Sequence, residues 1–146
     1  MNKNIVLMAL MVSMFVFGLQ IAEPAAAASL KMIDHGSMNI KQHTDNNTIN
    51  FNWKTYQKGK NYVVMKNCLY SHKYNKAAYC YFYIQKINKN TMKVTEKDVY
   101  TNYNTGKSTT KNYKPAYDKT KLTAVQYYWK YIRGACLQAI YDESNV

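Results

Sequence analysis

Proline and glycine are scarce in this 146-residue chain, two and five in all; cysteine occurs three times, and 8 acidic residues face 20 Lys and Arg. Each shortage excludes something. So little Gly and Pro rules out collagen-like repeats, and plentiful aromatics rule out wholesale disorder. Three Cys cannot build a dense disulfide scaffold. No uninterrupted apolar run reaches the roughly 20 residues that a membrane-spanning helix needs. Chemical signatures are missing too: there is no Gly-rich phosphate loop, no nucleophile elbow and no Cys-x-x-Cys or Cys/His ligand spacing. Nothing in the chain calls for a cofactor or a metal.

What remains is basic charge, tyrosine and a leader. Lys3 precedes an uncharged, largely apolar run, Ile5 to Leu19, interrupted by Gln20, Glu23 and Pro24 before the block Ala25 to Ala28. That is the pattern of an export signal, with cleavage after Ala28 at an Ala-x-Ala site. A retained membrane anchor is the competing reading, and the short apolar run argues against it. The expectation is a secreted protein, either free or held on the cell wall.

Removing residues 1–28 takes away one basic and one acidic side chain, Lys3 and Glu23, so the formal charge stays at +12. A field of that size attracts polyanions such as nucleic acid, wall teichoic acid or an anionic lipid surface, and salt screens it. Basicity for solubility alone is the plainer explanation, since the charges are spread from Lys31 to Arg133.

Residues 29–46 are polar and show neither helical nor strand period, so a flexible arm is expected there, followed by a single small α+β domain over 47–146. Ile49, Phe51 and Trp53 alternate with Asn50, Asn52 and Lys54, as in a half-buried strand. Two runs rich in Tyr, Val, Phe and Ile, Tyr62 to Tyr70 and Ala77 to Ile87, read as an antiparallel hairpin. Met92 to Tyr103 supplies a further strand, and Ser108 to Tyr117 a short fifth limited by Pro115. The expected fold is an antiparallel meander of four to five strands with one C-terminal amphipathic helix on one face. The helix stripe comprises Leu122, Val125, Trp129, Ile132, Cys136, Ala139 and Ile140, with Tyr127, Lys130, Tyr131, Gly134, Gln138 and Tyr141 turned away from it.

An exported chain meets oxidants, so Cys68, Cys80 and Cys136 are candidates for a bridge. A hairpin symmetric about Tyr74 sets Cys68 opposite Cys80; the alternatives are either of them with Cys136, or three buried thiols. The same register puts Tyr79, Tyr81 and Tyr83 together on the face away from the helix, beside Met65 and Leu69. All fifteen Tyr lie beyond residue 28. With Lys66, Tyr127, Lys130 and Tyr131, the three strand tyrosines form the expected ligand-binding surface, aromatic rings for contact and lysines for attraction. Packing within a small sheet is the competing use of tyrosine.

Catalysis is poorly provided for. His35, His43 and His72 are the only histidines, and His72 with Lys73 and Glu96 is the best acid–base set the chain offers. Three functions fit: a non-catalytic binding protein for an anionic polymer or a protein partner, a secreted antagonist of another cell, or a small hydrolase such as a nuclease. The first accounts best for tyrosine and lysine together.

Overall fold

The computed structural model describes residues 29–144, and side chains through Asp142. The segment expected to be an export signal, residues 1–28, lies outside the described residues. Seven strands follow in order, β1 (Lys31–Gln42), β2 (Asn47–Gln57), β3 (Tyr62–Ser71), β4 (Lys76–Asn88), β5 (Thr91–Asn102), β6 (Lys107–Asn112) and β7 (Ala116–Lys119). Each of the first five pairs antiparallel with the next, giving a six-stranded meander. The strand count among the described residues exceeds the expected four to five because two segments differ from the expectation. Residues 31–42, read as a flexible arm, form β1, paired along its length with β2. The lane beside β5 is shared: β6 pairs with Lys97 to Asn102, and beyond Pro115 β7 pairs with Thr91 to Val94. Proline has no N–H for the ladder, so the lane breaks there and resumes.

A helical segment then crosses one face. It comprises α1 (Ala124–Tyr127), a π-helical turn (Tyr128–Ile132) and α2 (Arg133–Ser144). Thr123 caps its start: its hydroxyl accepts from the Gln126 N–H while the Gln126 side chain accepts from the Thr123 N–H. Lys86 holds the entrance by donating to the Thr120 and Leu122 carbonyls. The buried positions are Ala124, Tyr127, Tyr128, Ile132, Cys136 and Ile140. This corrects the expected stripe. Residues four apart drift steadily around a regular α-helix, and the wider π turn takes that drift back, so one four-residue series stays on the sheet. Tyr127 therefore enters the core and Trp129 leaves it, 47% exposed.

The core lies between this helix and one face of the sheet, which contributes Phe51, Trp53, Val63, Met65, Cys80, Phe82, Ile84, Met92 and Val94. At the β1 edge Asp34 ties the layers together. Its Oδ2 accepts from Trp53 Nε1 (3.0 Å), Tyr128 Oη (2.7 Å) and Arg133 Nε (2.7 Å), and Thr55 Oγ1 donates to the same tyrosine oxygen at 2.7 Å. Arg133 is sandwiched between Trp53 and Trp129, 5.6 Å from each ring. Gly36 makes the arrangement possible, because a Cβ there would fall 2.2 Å from the Trp53 ring.

The β3–β4 hairpin corrects the expected register by one residue. Ser71 pairs with Lys76 across a four-residue turn containing Asn75 at φ 50°, so partners run Cys68 to Tyr79 and Asn67 to Cys80. A one-residue slip exchanges the faces of a whole strand. Met65 and Leu69 consequently face the helix, while Val64 and Cys68 join Tyr79, Tyr81 and Tyr83 on the other side. Cys68 and Cys80 point to opposite faces, so neither the Cys68–Cys80 bridge nor one from Cys68 to Cys136 is geometrically open. All three cysteines are free thiols.

Candidate functional site

The strand tyrosines lie on the face away from the helix, but they do not form an open platform. Tyr81 is only 1% exposed, and Tyr79 and Tyr83 are half-buried. Tyr81 stacks on Tyr83 with centroids 5.9 Å apart, and the Lys97 ammonium sits 5.3 Å from its ring centre. One transverse row runs Lys54, Lys66, Tyr81, Lys97. Burial, with Lys54 opposite, lowers the Lys66 ammonium to about 8. Tyr127 is wholly buried and donates to Asp118 at 2.8 Å. Tyr131 is half-buried, and Lys130, exposed, stands over its ring at 5.3 Å. The seven expected contact residues therefore divide between two faces and the core. Lys130 alone among them is fully exposed.

The nuclease set does not assemble. His72, in the β3–β4 turn, packs edge-on against Tyr70. Glu96 lies in the row of Phe82 and Met65, six residues along β3 from Ser71 and about 20 Å away at about 3.3 Å per residue.

Two features that sequence reasoning did not single out are present on the helix side of the sheet. One is an open cleft of about 580 Å³ at the end that carries the β3–β4 and β5–β6 turns. Its lining comes from the strands and turns, with none from the helical segment. Ile49, Leu69, Ala78 and Tyr100 supply the apolar part, Ser71, Thr101, Asn102, Thr105 and Thr109 supply hydroxyls and an amide, and Lys76 and Lys107 supply positive charge. Leu69, Ala78, Tyr100 and Thr109 are successive cross-strand partners. A row of that kind is invisible as sequence spacing, because its members come from four strands. The volume is that of a small-ligand site. Tyr100 is 44% exposed and offers a ring face there.

The other feature is a buried polar cluster in the adjoining rows. Asn67, Cys80 and Asp98 are successive cross-strand partners, and Glu96 is one row further along. Asp98 is 1% exposed, Glu96 4% and Asn67 3%. Burial pushes both carboxyls up, Glu96 further because the Asp98 charge adds to it. Burial likewise pushes up the Cys80 and Cys136 thiols. The Tyr113 phenol is raised by burial and by facing Asp98.

Neither a family model, nor a curated protein, nor a solved structure matches the chain.

Proposed function

We propose that this is an exported, basic, non-catalytic binding protein that takes hold of an anionic polymer of sugar- or polyol-phosphate units, wall teichoic acid being the type, by seating one unit in the cleft of the helix-side face. The single observation that carries the reading is the composition of that cleft: an apolar floor, an exposed tyrosine ring, a ring of small hydroxyl side chains and two lysines. A sugar or polyol unit needs an apolar or aromatic surface for its C–H faces and hydrogen-bonding partners for its hydroxyls. Its phosphates need cations, and Lys76 and Lys107 stand at the lining. Residues beyond Ala28 carry 19 basic against 7 acidic side chains. Two of those acids are the buried pair and a third, Asp34, is engaged with Arg133. The exterior field is therefore almost wholly positive, and it draws the rest of the polymer toward the cleft.

The test is binding of the purified protein to purified wall polymer, to an uncharged polysaccharide and to single-stranded nucleic acid over a range of salt. Affinity for the phosphate polymer falls steeply with salt, and the uncharged polymer does not bind. Charge reversal of Lys76 and Lys107 together weakens binding by about tenfold or more, and Tyr100→Ala weakens it further. Binding that ignores all three substitutions removes the cleft from the reading. Tighter binding of single-stranded nucleic acid than of the sugar-phosphate polymer replaces the ligand class.

A further inference from the structure

We infer that Cys80, Glu96 and Asp98, with Asn67 beside them, form a binding site for one divalent transition-metal ion, Zn2+ being the best match, in the core between the sheet and the helix. The donor atoms of Cys80, Glu96 and Asp98 all lie within 4.8 Å of one another. Cys80 Sγ is 3.8 Å from Glu96 Oε1. Zn–S and Zn–O bonds of about 2.3 and 2.0 Å at a tetrahedral centre place sulfur and oxygen about 3.5 Å apart, so the pair is within a few tenths of an ångström of ligating geometry.

A group of acids alone would say little, since buried carboxyls also share protons. Two independent observations point to a ligand. Neither Asp98 oxygen makes a hydrogen bond of ordinary geometry, although the residue is 1% exposed. Asn67 Oδ1 is also buried without a partner, and Asn67 is the cross-strand neighbour of Cys80 on the same face. Cys80, Tyr113 and Glu96 lie close enough to Asp98 to lower its carboxyl, but none meets it in ordinary hydrogen-bond geometry; three buried acceptor oxygens so placed on the face of a thiol are what a cation would satisfy. The cation nearest in register, Lys111 opposite Asp98, is exposed, with its ammonium 4.7 Å from the Tyr113 ring centre. It forms no ion pair with the cluster. The Tyr100 and Tyr113 phenols, both raised by burial, are turned toward Asp98, and Lys111 is close enough for its charge to lower both carboxyls.

The donor set decides the metal. One thiolate with two carboxylates and an amide oxygen is too soft for Mg2+ or Ca2+ and suits a borderline ion. Binding converts the Cys80 thiol to thiolate and the Glu96 carboxylic acid to carboxylate, and both protons leave to solvent. The ion's two positive charges then meet anions that are otherwise costly to bury.

The test uses the purified protein stripped with a chelator. Zn2+ titrated into it binds one per chain, releases about two protons at neutral pH and raises the melting temperature. Co2+ in its place gives a thiolate-to-metal charge-transfer band. Cys80→Ser abolishes that band, Cys68→Ser leaves it, and Asp98→Asn lowers affinity by at least about tenfold. Absence of saturable one-to-one binding by the unsubstituted protein overturns the site, as does binding undiminished in folded Cys80→Ser and Asp98→Asn. Should either variant fail to fold, the Co2+ band and the one-to-one stoichiometry of the unsubstituted protein decide. The double charge reversal at Lys76 and Lys107 leaves metal binding unchanged, which separates this site from the polymer reading.

Discussion

Two acidic sites, one half-buried and one buried, flank the same core, and they are solved in opposite ways. At the β1 edge, one Asp34 oxygen accepts from an indole, a phenol and a guanidinium. Burial alone would raise that carboxyl; the bonds from Tyr128, Arg133 and Trp53 and the Arg133 charge outweigh it and hold it below the ordinary range. On β5, Glu96 and Asp98 are buried more deeply, Asp98 receives no hydrogen bond of ordinary geometry, and burial pushes both carboxyls up. Depth of burial sets how strongly a carboxyl is pushed up, and it does not act alone. The number of donors aimed at it decides, because each bond to the ionised form offsets part of the solvation lost.

The widest expected gap between the two sites comes from Asp34→Ala. It strands Trp53 Nε1, the Tyr128 hydroxyl and Arg133 without their common acceptor, and costs about 3 kcal/mol in denaturant unfolding. A loss below about 1 kcal/mol would mean that water replaces the carboxylate freely and that the edge is no more satisfied than β5. Tyr128→Phe sharpens the point on a smaller scale. It removes one donor from Asp34 and one acceptor from Thr55, costing about 1 kcal/mol, and it brings the Asp34 carboxyl back toward its ordinary range.

Asp98→Asn gives the smallest change and the opposite sign. In the metal-free protein it replaces a buried carboxyl, whose ionised form burial disfavours, by a neutral amide of the same shape, so stability at neutral pH is unchanged or slightly higher. The pH dependence separates the sites further. Asp34, depressed, contributes stability above its unfolded value that is lost as pH falls through its folded value. Glu96 and Asp98, raised, favour the fold fully only below the ordinary carboxylate range, and that contribution is lost as pH rises through their folded values, to the alkaline side of neutral for Glu96. Unfolding of the metal-free protein from acid to mild alkali displays both limbs; Asp98→Asn flattens the alkaline one only. Equal flattening of the acid limb would show that the two sites are not independent.

How much of this was legible beforehand differs element by element. β2 was readable because apolar and polar residues alternate along it, and β3 and β4 because they are dense in Tyr, Val, Phe and Ile between turn-forming residues. β1 was not, since an edge strand with Lys31, Asp34, His35, Ser37, Asn39 and Lys41 buries little and carries no clear period; Ile40 is its single buried residue. The C-terminal helix announced itself, but its inner face did not, because the π turn resets a phase that regular periodicity assumes constant. The hairpin was foreseen, and its register failed on the length of one turn.

The candidate sites fared worse for a related reason. Leu69, Ala78, Tyr100 and Thr109 come from four strands, and so do Trp53, Asn67, Cys80 and Asp98. Sequence spacing records neighbours along one strand or one helix face, whereas a sheet assembles its sites across strands.

Composition and local period by themselves determined the antiparallel meander, the terminal helix and the excess of positive charge, because those depend on which residues are present and how they repeat. The three-dimensional packing alone decided that Tyr81 and Tyr127 serve the interior, that Cys68 and Cys80 part company, and that Cys80, Glu96 and Asp98 meet. A one-residue change in strand pairing reverses every side chain that follows, and only the closed turns and the packed helix fix that choice.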